Sequence, residues 1–246
     1  GFNTTGSYNT FVGAEAGQGG TTSAPFSSGQ HNTGVGASAL AGFTTGQFNT
    51  AIGKDAGKAI TTANYNVFVG SWAGDAATAS GYNVAVGHQA FSAAVGDSSH
   101  TIAIGYQAGL AITSGDGNIM IGASAGSVTT DVDKTVVIGQ SAGMGDMTAA
   151  ADGLIAIGYQ AMKVHTTGAR NIAIGYNAMS DTDAGSTSLG SGDNIFIGYS
   201  AGGGTWANAA TNGTVGIGSY ALDAAMDGAL YNTAIGAYAA SAITSA

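Results

Sequence analysis

The chain has no cysteine, a single proline and few charges, and each scarcity removes a class of protein. Without cysteine there is no disulfide framework and no thiolate to complete a zinc site. One proline beside 43 glycines in 246 residues excludes collagen, which needs glycine at every third position and abundant proline. Charged residues make up 8%, against roughly 25% in ordinary globular chains. The 14 acidic and 5 basic side chains leave a net charge of −9, with no Lys/Arg cluster. That balance argues against nucleic acid and anionic lipid as partners. No apolar run approaches the ~20 residues that span a bilayer, so no membrane insertion is expected within this segment. The hydrophobic fraction is nevertheless 44%, too high for a chain that stays disordered. The opening Gly-Phe-Asn is neither an initiator methionine nor a signal peptide, and reads as a processed form or a section of a longer protein.

What the chain does have is an internal repeat. An aliphatic residue followed by glycine recurs at Gly13, Gly36, Gly53, Gly70, Gly87, Gly105, Gly122, Gly139, Gly158, Gly175, Gly198, Gly218 and Gly236. The successive spacings are 23, 17, 17, 17, 18, 17, 17, 19, 17, 23, 20 and 18. Seventeen is the basic period, and larger values mark insertions. Val or Ile precedes every one of these glycines, and two positions earlier stands another β-branched residue, from Thr10 to Thr233. Alanine follows three residues after the glycine in every copy, from Ala16 to Ala239. Asparagine opens the motif in nine copies, among them Asn9, Asn49, Asn83, Asn171 and Asn232.

The β-branched, any, β-branched order has period two and predicts a short strand with both stiff side chains on one face. The glycine suits a bend at positive φ or a close backbone approach. One copy is too short to bury its own apolar face, so stacking of copies is needed. The expected architecture is an all-β, parallel β-solenoid of thirteen coils of about 17 residues, in one domain over residues 1–246. A second strand per coil is expected at Ala59–Thr62, Ala111–Thr113 and Val128–Thr130.

The β-branched columns are expected to face the core and the middle column to face outward. That middle column reads Phe11, Gly34, Ala51, Phe68, Ala85, Ala103, Met120, Val137, Ala156, Ala173, Phe196, Gly216 and Ala234, without one polar residue. An apolar stripe of this kind predicts packing against identical chains. The asparagine column fits either a side-chain ladder or local turn chemistry. Before it stand Tyr8, His31, Phe48, Tyr65, Tyr82 and His100, an expected ring ladder. In later coils tyrosine moves to the position after the glycine.

Catalytic patterns are missing. His31, His88, His100 and His165 form no H-x-x-x-H pair, no G-x-S-x-G elbow joins a strand to a helix, and no Walker A loop occurs. Asp131 with Asp133, and Asp181 with Asp183, are oxygen pairs compatible with calcium or with solvated turns; no other cofactor is indicated. The string I-G-x-x-A-G also satisfies one hexapeptide of left-handed β-helix acyltransferases. The next hexad fails, however, at Gln18, Ala41, Lys58, Asp75, Ser92 and Ser127. No enzyme activity is expected.

The motif Asn49-Thr50-Ala51-Ile52-Gly53-Lys54-Asp55-Ala56-Gly57 resembles the head repeats of YadA-like trimeric autotransporter adhesins. It is similar also to repeats of phage tail fibres and of predatory-bacterium surface fibres, and the resemblance covers residues 3 to 240. It implies a left-handed β-roll in a side-by-side homotrimer, displayed outside a cell or on a virion surface and used for attachment. Insertions at 17–29, 180–193 and 202–213 are expected to emerge from the coils. Exposed aromatics stack on sugars, so Trp72, Tyr106, Tyr159, Tyr176, Tyr199 and Trp206 are the candidate surface for a cell-surface glycan or protein receptor; loop aromatics clipped down onto the coils are the competing reading. A purely structural filament or spacer without a ligand is the alternative function.

Overall fold

The structure is a computed structural model that describes residues 5–19, 27–94, 98–182, 190–206, 209–226 and 228–242. Every repeat forms one three-residue strand, and the strands fall where the β-branched pairs stand. The chain divides into two compact units, Gly1–Gly117 and Asn118–Ala246. Each is a parallel β-solenoid. The first holds β1 (Thr10–Val12), β2 (Thr33–Val35), β3 (Thr50–Ile52), β4 (Val67–Val69), β5 (Val84–Val86) and β6 (Ile102–Ile104). The second holds β7 (Ile119–Ile121), β8 (Val136–Ile138), β9 (Ile155–Ile157), β10 (Ile172–Ile174), β11 (Ile195–Ile197), β12 (Val215–Ile217) and β13 (Thr233–Ile235). Within each unit neighbouring strands pair in parallel and in register, as Thr50↔Val67 and Ile172↔Ile195 show.

The second strand expected in each coil is not formed. Ala59–Thr62, Ala111–Thr113 and Val128–Thr130 lie in turns, bends and irregular backbone, outside any strand. The reason is the backbone after the glycine, where positive φ recurs at alternate positions: 56° at Asp55 and 56° at Gly57 in the third coil. Overlapping turns result, with Ala56 N–H donating to the Gly53 carbonyl (3.3 Å), Lys58 to Asp55 (3.3 Å) and Ile60 to Gly57 (3.1 Å). The coils still bond one another along this side. Asp55 N–H donates back to the Ala37 carbonyl (2.8 Å), and Gly57 N–H donates forward to that of Ala73 (2.9 Å). Alternating peptide directions thus satisfy the backbone as a strand would, while the chain curls.

The expected orientation of the strands is reversed. The middle residue of the strand is the core: Ala51, Phe68, Ala85, Ala103, Met120, Val137, Ala156, Ala173 and Phe196 are fully buried within the single chain, and Ala234 nearly so. Phe11, in the first coil, is half-buried. None of the flanking β-branched residues is buried. The physical cause is the narrowness of the coil. The turns fold back over one face of a three-residue strand, and that face carries a single side chain. The residues proposed as an oligomer stripe therefore line the inside of their own coil and are not available to a partner.

The interior is filled by trading volume between this middle residue and the residue four after the glycine. Phe68 is paired with Gly74, Met120 with Gly126 and Phe196 with Gly202, whereas Gly34 is paired with Leu40, Ala85 with Phe91 and Ala173 with Met179. A Cβ on Gly74 would lie 2.5 Å from the Phe68 ring, and one on Gly126 2.5 Å from the Met120 sulfur. Where both positions are small, as at Ala51 and Gly57, buried Ile60 supplies the volume. This is close packing arranged coil by coil.

The repeat glycine is needed for close approach. Its φ is 136° at Gly53, and a Cβ there would meet the Gly70 carbonyl oxygen at 2.4 Å. Inside the coil the asparagines form a ladder. Asn49 Nδ2 donates to Asn32 Oδ1 (3.1 Å) and to the Ala63 carbonyl (2.8 Å), while Asn49 Oδ1 accepts from Asn66 N–H (3.1 Å) and Nδ2 (3.0 Å). Thr135 continues it in the second unit, accepting the place of an asparagine by donating its N–H and Oγ1–H to Asn118 Oδ1. Leu154 interrupts it, buried and without a polar side chain.

Candidate interaction surface

Two exposed features run along the coils. The first is the outer face of the strands. Each presents two β-branched side chains, such as Ile155 and Ile157 or Ile172 and Ile174, partly or well exposed. Exposure reaches 42% at Ile52 and 58% at Val12. In the second unit every strand from β7 to β12 contributes only Val and Ile to this face. A contiguous apolar surface of this kind is uncommon on a soluble monomer. The sequence signal is present, because the same two columns are β-branched in every copy; their alternation does not say which way they face.

The second feature is a set of aromatic rows. In the first unit Tyr8, His31, Phe48, Tyr65, Tyr82 and His100 stack in sequence, with centroids 4.8 to 5.2 Å apart. All six have positive φ, from 55° to 62°, a conformation that directs each ring to the same edge of its coil. The expected ladder is formed. His31 and His100 are both members of this ladder, and His100 Nδ1 also lies 3.2 Å from Asp116 Oδ1. In the second unit this column holds Lys134, Arg170 and Asp193, and Arg170 grips Asp193 through two bonds of 2.6 and 2.8 Å. That pairing holds the Asp193 carboxyl below its ordinary range.

The residues proposed as a ligand surface are divided. Tyr159, Tyr176 and Tyr199 stack on the outside at 4.9 and 5.2 Å. The row continues through Tyr220, edge-on at 5.2 Å, to Tyr238 at 5.0 Å. These last two were missed because they stand one position later in their coils. The Tyr199 hydroxyl, bonded to Tyr220, raises the Tyr220 phenol above its ordinary value. In the first unit Tyr106 stacks on His88 at 5.6 Å, and His88 meets Trp72 edge-on. His88 shares the column of Tyr106, so its role was legible.

Trp72 is tied down at its edge. Its Nε1–H donates to Asp55 Oδ2 (3.0 Å), and Lys54 Nζ stands 4.8 Å from the ring centroid. Lys54 and Lys58 also bind the Asp55 carboxylate, at 2.8 and 3.1 Å, and hold it below its ordinary range. Trp206 does not belong to any surface. It is fully buried, 5.6 Å from Phe196, clipped onto the coils because Gly202 leaves room beside that ring. Pro25 and Phe26 of the first insertion lie outside the described residues.

Stacking changes what the tyrosines offer. Tyr176 is covered on both faces by its neighbours, so the row presents ring edges and hydroxyls, not open faces for sugar stacking. Among the described residues no group of three or more His, Asp or Glu side chains converges on a metal position. Asp183 of the second acidic pair lies outside the described residues, and Asp181 accepts from Thr205 Oγ1 at 2.6 Å. Buried His165 is engaged with the Gly168 carbonyl (2.9 Å) and Thr182 Oγ1 (3.2 Å), as a core residue. No helix of the described chain is long and apolar enough to cross a membrane. Comparison with family models, with curated proteins and with solved structures found no match in any of the three.

Proposed function

We propose that this chain is a segment of an extracellular or virion-surface fibre, a non-enzymatic β-roll that associates side by side with identical chains and serves attachment to a cell surface. The observation that carries this reading is the outer strand face. Val and Ile stand there in two adjacent columns, and a symmetric bundle of copies is the simplest way to cover a face that every copy shares. The resemblance of the repeat to trimeric adhesin heads favours three chains and a left-handed roll. The interface belongs to the flanking residues, such as Ile155, Ile157, Ile172 and Ile174, and not to the middle column.

Light scattering coupled to size exclusion tests it. The 23.8 kDa chain is expected to elute at three times its own mass. Ile157→Asp with Ile174→Asp is expected to return it to one, with its circular dichroism retained. A wild-type chain of monomeric mass overturns the bundle. One observation favours the alternative of a spacer without a ligand: Trp206 is buried and the tyrosine faces are spent on one another. Binding of fluorescently labelled bundle to bacterial or host cells, saturable and competed by unlabelled protein, distinguishes attachment from spacing.

A further inference from the structure

The tyrosine row of the second unit is oxidisable, aligned and within reach of solvent. Tyr159, Tyr176 and Tyr199 each follow a repeat glycine, so they take the same place in successive coils. The backbone fixes that register: Asn177 N–H donates to the Tyr159 carbonyl (2.9 Å) and Ser200 N–H to the Tyr176 carbonyl (2.8 Å). Their rings lie nearly parallel, at 19° and 7°, with exposures of 37%, 46% and 45%. Side chains that would compete for an oxidant are shielded, because Met147, Met162, Met179 and Trp206 are fully buried. A chain without cysteine has no disulfide to tie one coil to the next.

We propose that Tyr159, Tyr176 and Tyr199 form a site of oxidative coupling, at which dityrosine bonds staple neighbouring coils of one chain. The oxidant is a one-electron acceptor of the haem peroxidase class, working with hydrogen peroxide. It removes an electron and the hydroxyl proton from each of two neighbouring phenols. The two radicals join through a carbon–carbon bond between the ring carbons ortho to their oxygens. The hydrogen on each joined carbon then moves to its oxygen, and both rings are phenols again. Two hydrogens leave the pair, and one hydrogen peroxide becomes two waters. Centroids 4.9 and 5.2 Å apart hold the partners together before oxidation, which makes coupling an intramolecular step. A Tyr159–Tyr176 bond ties residues 17 positions apart and limits how far the two coils can part. Tyr65 and Tyr82 of the first unit stand likewise, at 5.0 Å. Tyr106, 53% exposed, stacks instead on His88, so exposure and tyrosine pairing are separable.

Coupling of this kind takes place within one chain and is independent of the side-by-side bundle. A haem peroxidase with hydrogen peroxide, applied to the whole 246-residue chain, tests it. Product that runs at single-chain mass on a denaturing gel is cut with trypsin and read by mass spectrometry. Lys163 and Arg170 stand between Tyr159 and Tyr176, and Lys134 precedes both. Their bond therefore joins peptides 135–163 and 171–246 in a product two hydrogens lighter than the sum. That product is expected, together with dityrosine fluorescence. Tyr176→Phe keeps a ring that can stack, as Phe48 does on Tyr65 at 5.0 Å. It is expected to lower the joined product about tenfold, with circular dichroism unchanged, and Tyr159→Phe is expected to do the same. A joined product that survives both variants overturns the proposal. Dityrosine found only between chains, oxidation confined to Tyr106, or no dityrosine at all overturns it as well.

Discussion

At the scale of the residue, the asparagine ladder joins three backbone segments through one side chain. Asn66 donates to Asn49 Oδ1 and to the Ser80 carbonyl, and accepts from Asn83 N–H (2.9 Å), all inside the coil. Replacing it with alanine removes the bonds and leaves a buried donor and a buried acceptor without partners. Orphaned groups of this kind cost about 1–3 kcal/mol each. Asn66→Ala is expected to destabilise the protein by about 2–4 kcal/mol on that basis, read as a lower urea midpoint. The ladder was legible in the sequence as a column. That it faces the core, and that its amides reach the carbonyls of the opposite turn, came only from the way the coil closes.

The repeat glycine behaves differently at different places, although its residue type never changes. At Gly53 the neighbouring carbonyl stands 2.4 Å from a would-be Cβ, and Gly53→Ala is expected to cost at least ~3 kcal/mol through overpacking and strain together. A chemical-denaturation midpoint close to that of the wild type would show that the coils can move apart. The bend itself followed from the sequence. The distance to the next coil did not, because it depends on a residue seventeen positions away.

At the scale of the element, a coil is one strand plus a run of turns, and its interior holds little more than one large side chain. The trade between Phe68 and Gly74 states the rule. Phe68→Ala alone is expected to cost about 3–5 kcal/mol, as large-to-small changes in a core do. Adding Gly74→Phe imitates the arrangement of Ala85 and Phe91. A double-mutant cycle by urea denaturation is expected to show a favourable coupling of at least ~1 kcal/mol between the two sites. Simple additivity would mean that the two positions do not share the space. The exchange was present in the sequence as an anticorrelation between two columns, and it is the signal that would have turned the strand the right way round. Alternation alone says which side chains share a face, and is silent on which face is inside.

At the scale of the whole molecule, each unit is held by contacts between adjacent coils, and stability in such arrays is a sum of nearest-neighbour terms. Among the described strands β13 pairs with β12 alone, whereas β9 and β10 each pair with two. Hydrogen exchange at low protein concentration is therefore expected to be fastest at Thr233–Ile235 in the second unit and slowest near β9 and β10. Uniform protection through the unit would mean that it opens only as a whole.

The sequence by itself determined the period, the place of the thirteen strands, the ring ladder and the place of the sharp bend. Those features are local or strictly periodic, and residue chemistry fixes them wherever the coil sits. Only the tertiary structure decided that Phe68 and Ala51 point inward while Ile52 and Val67 point outward, that the second strand is replaced by turns, and that Trp206 is core. Each of these depends on where the turns fold relative to the strand and on how much room a coil encloses. That room is set by residues far apart in the chain, and a column read along the sequence carries the phase of the repeat without its sign.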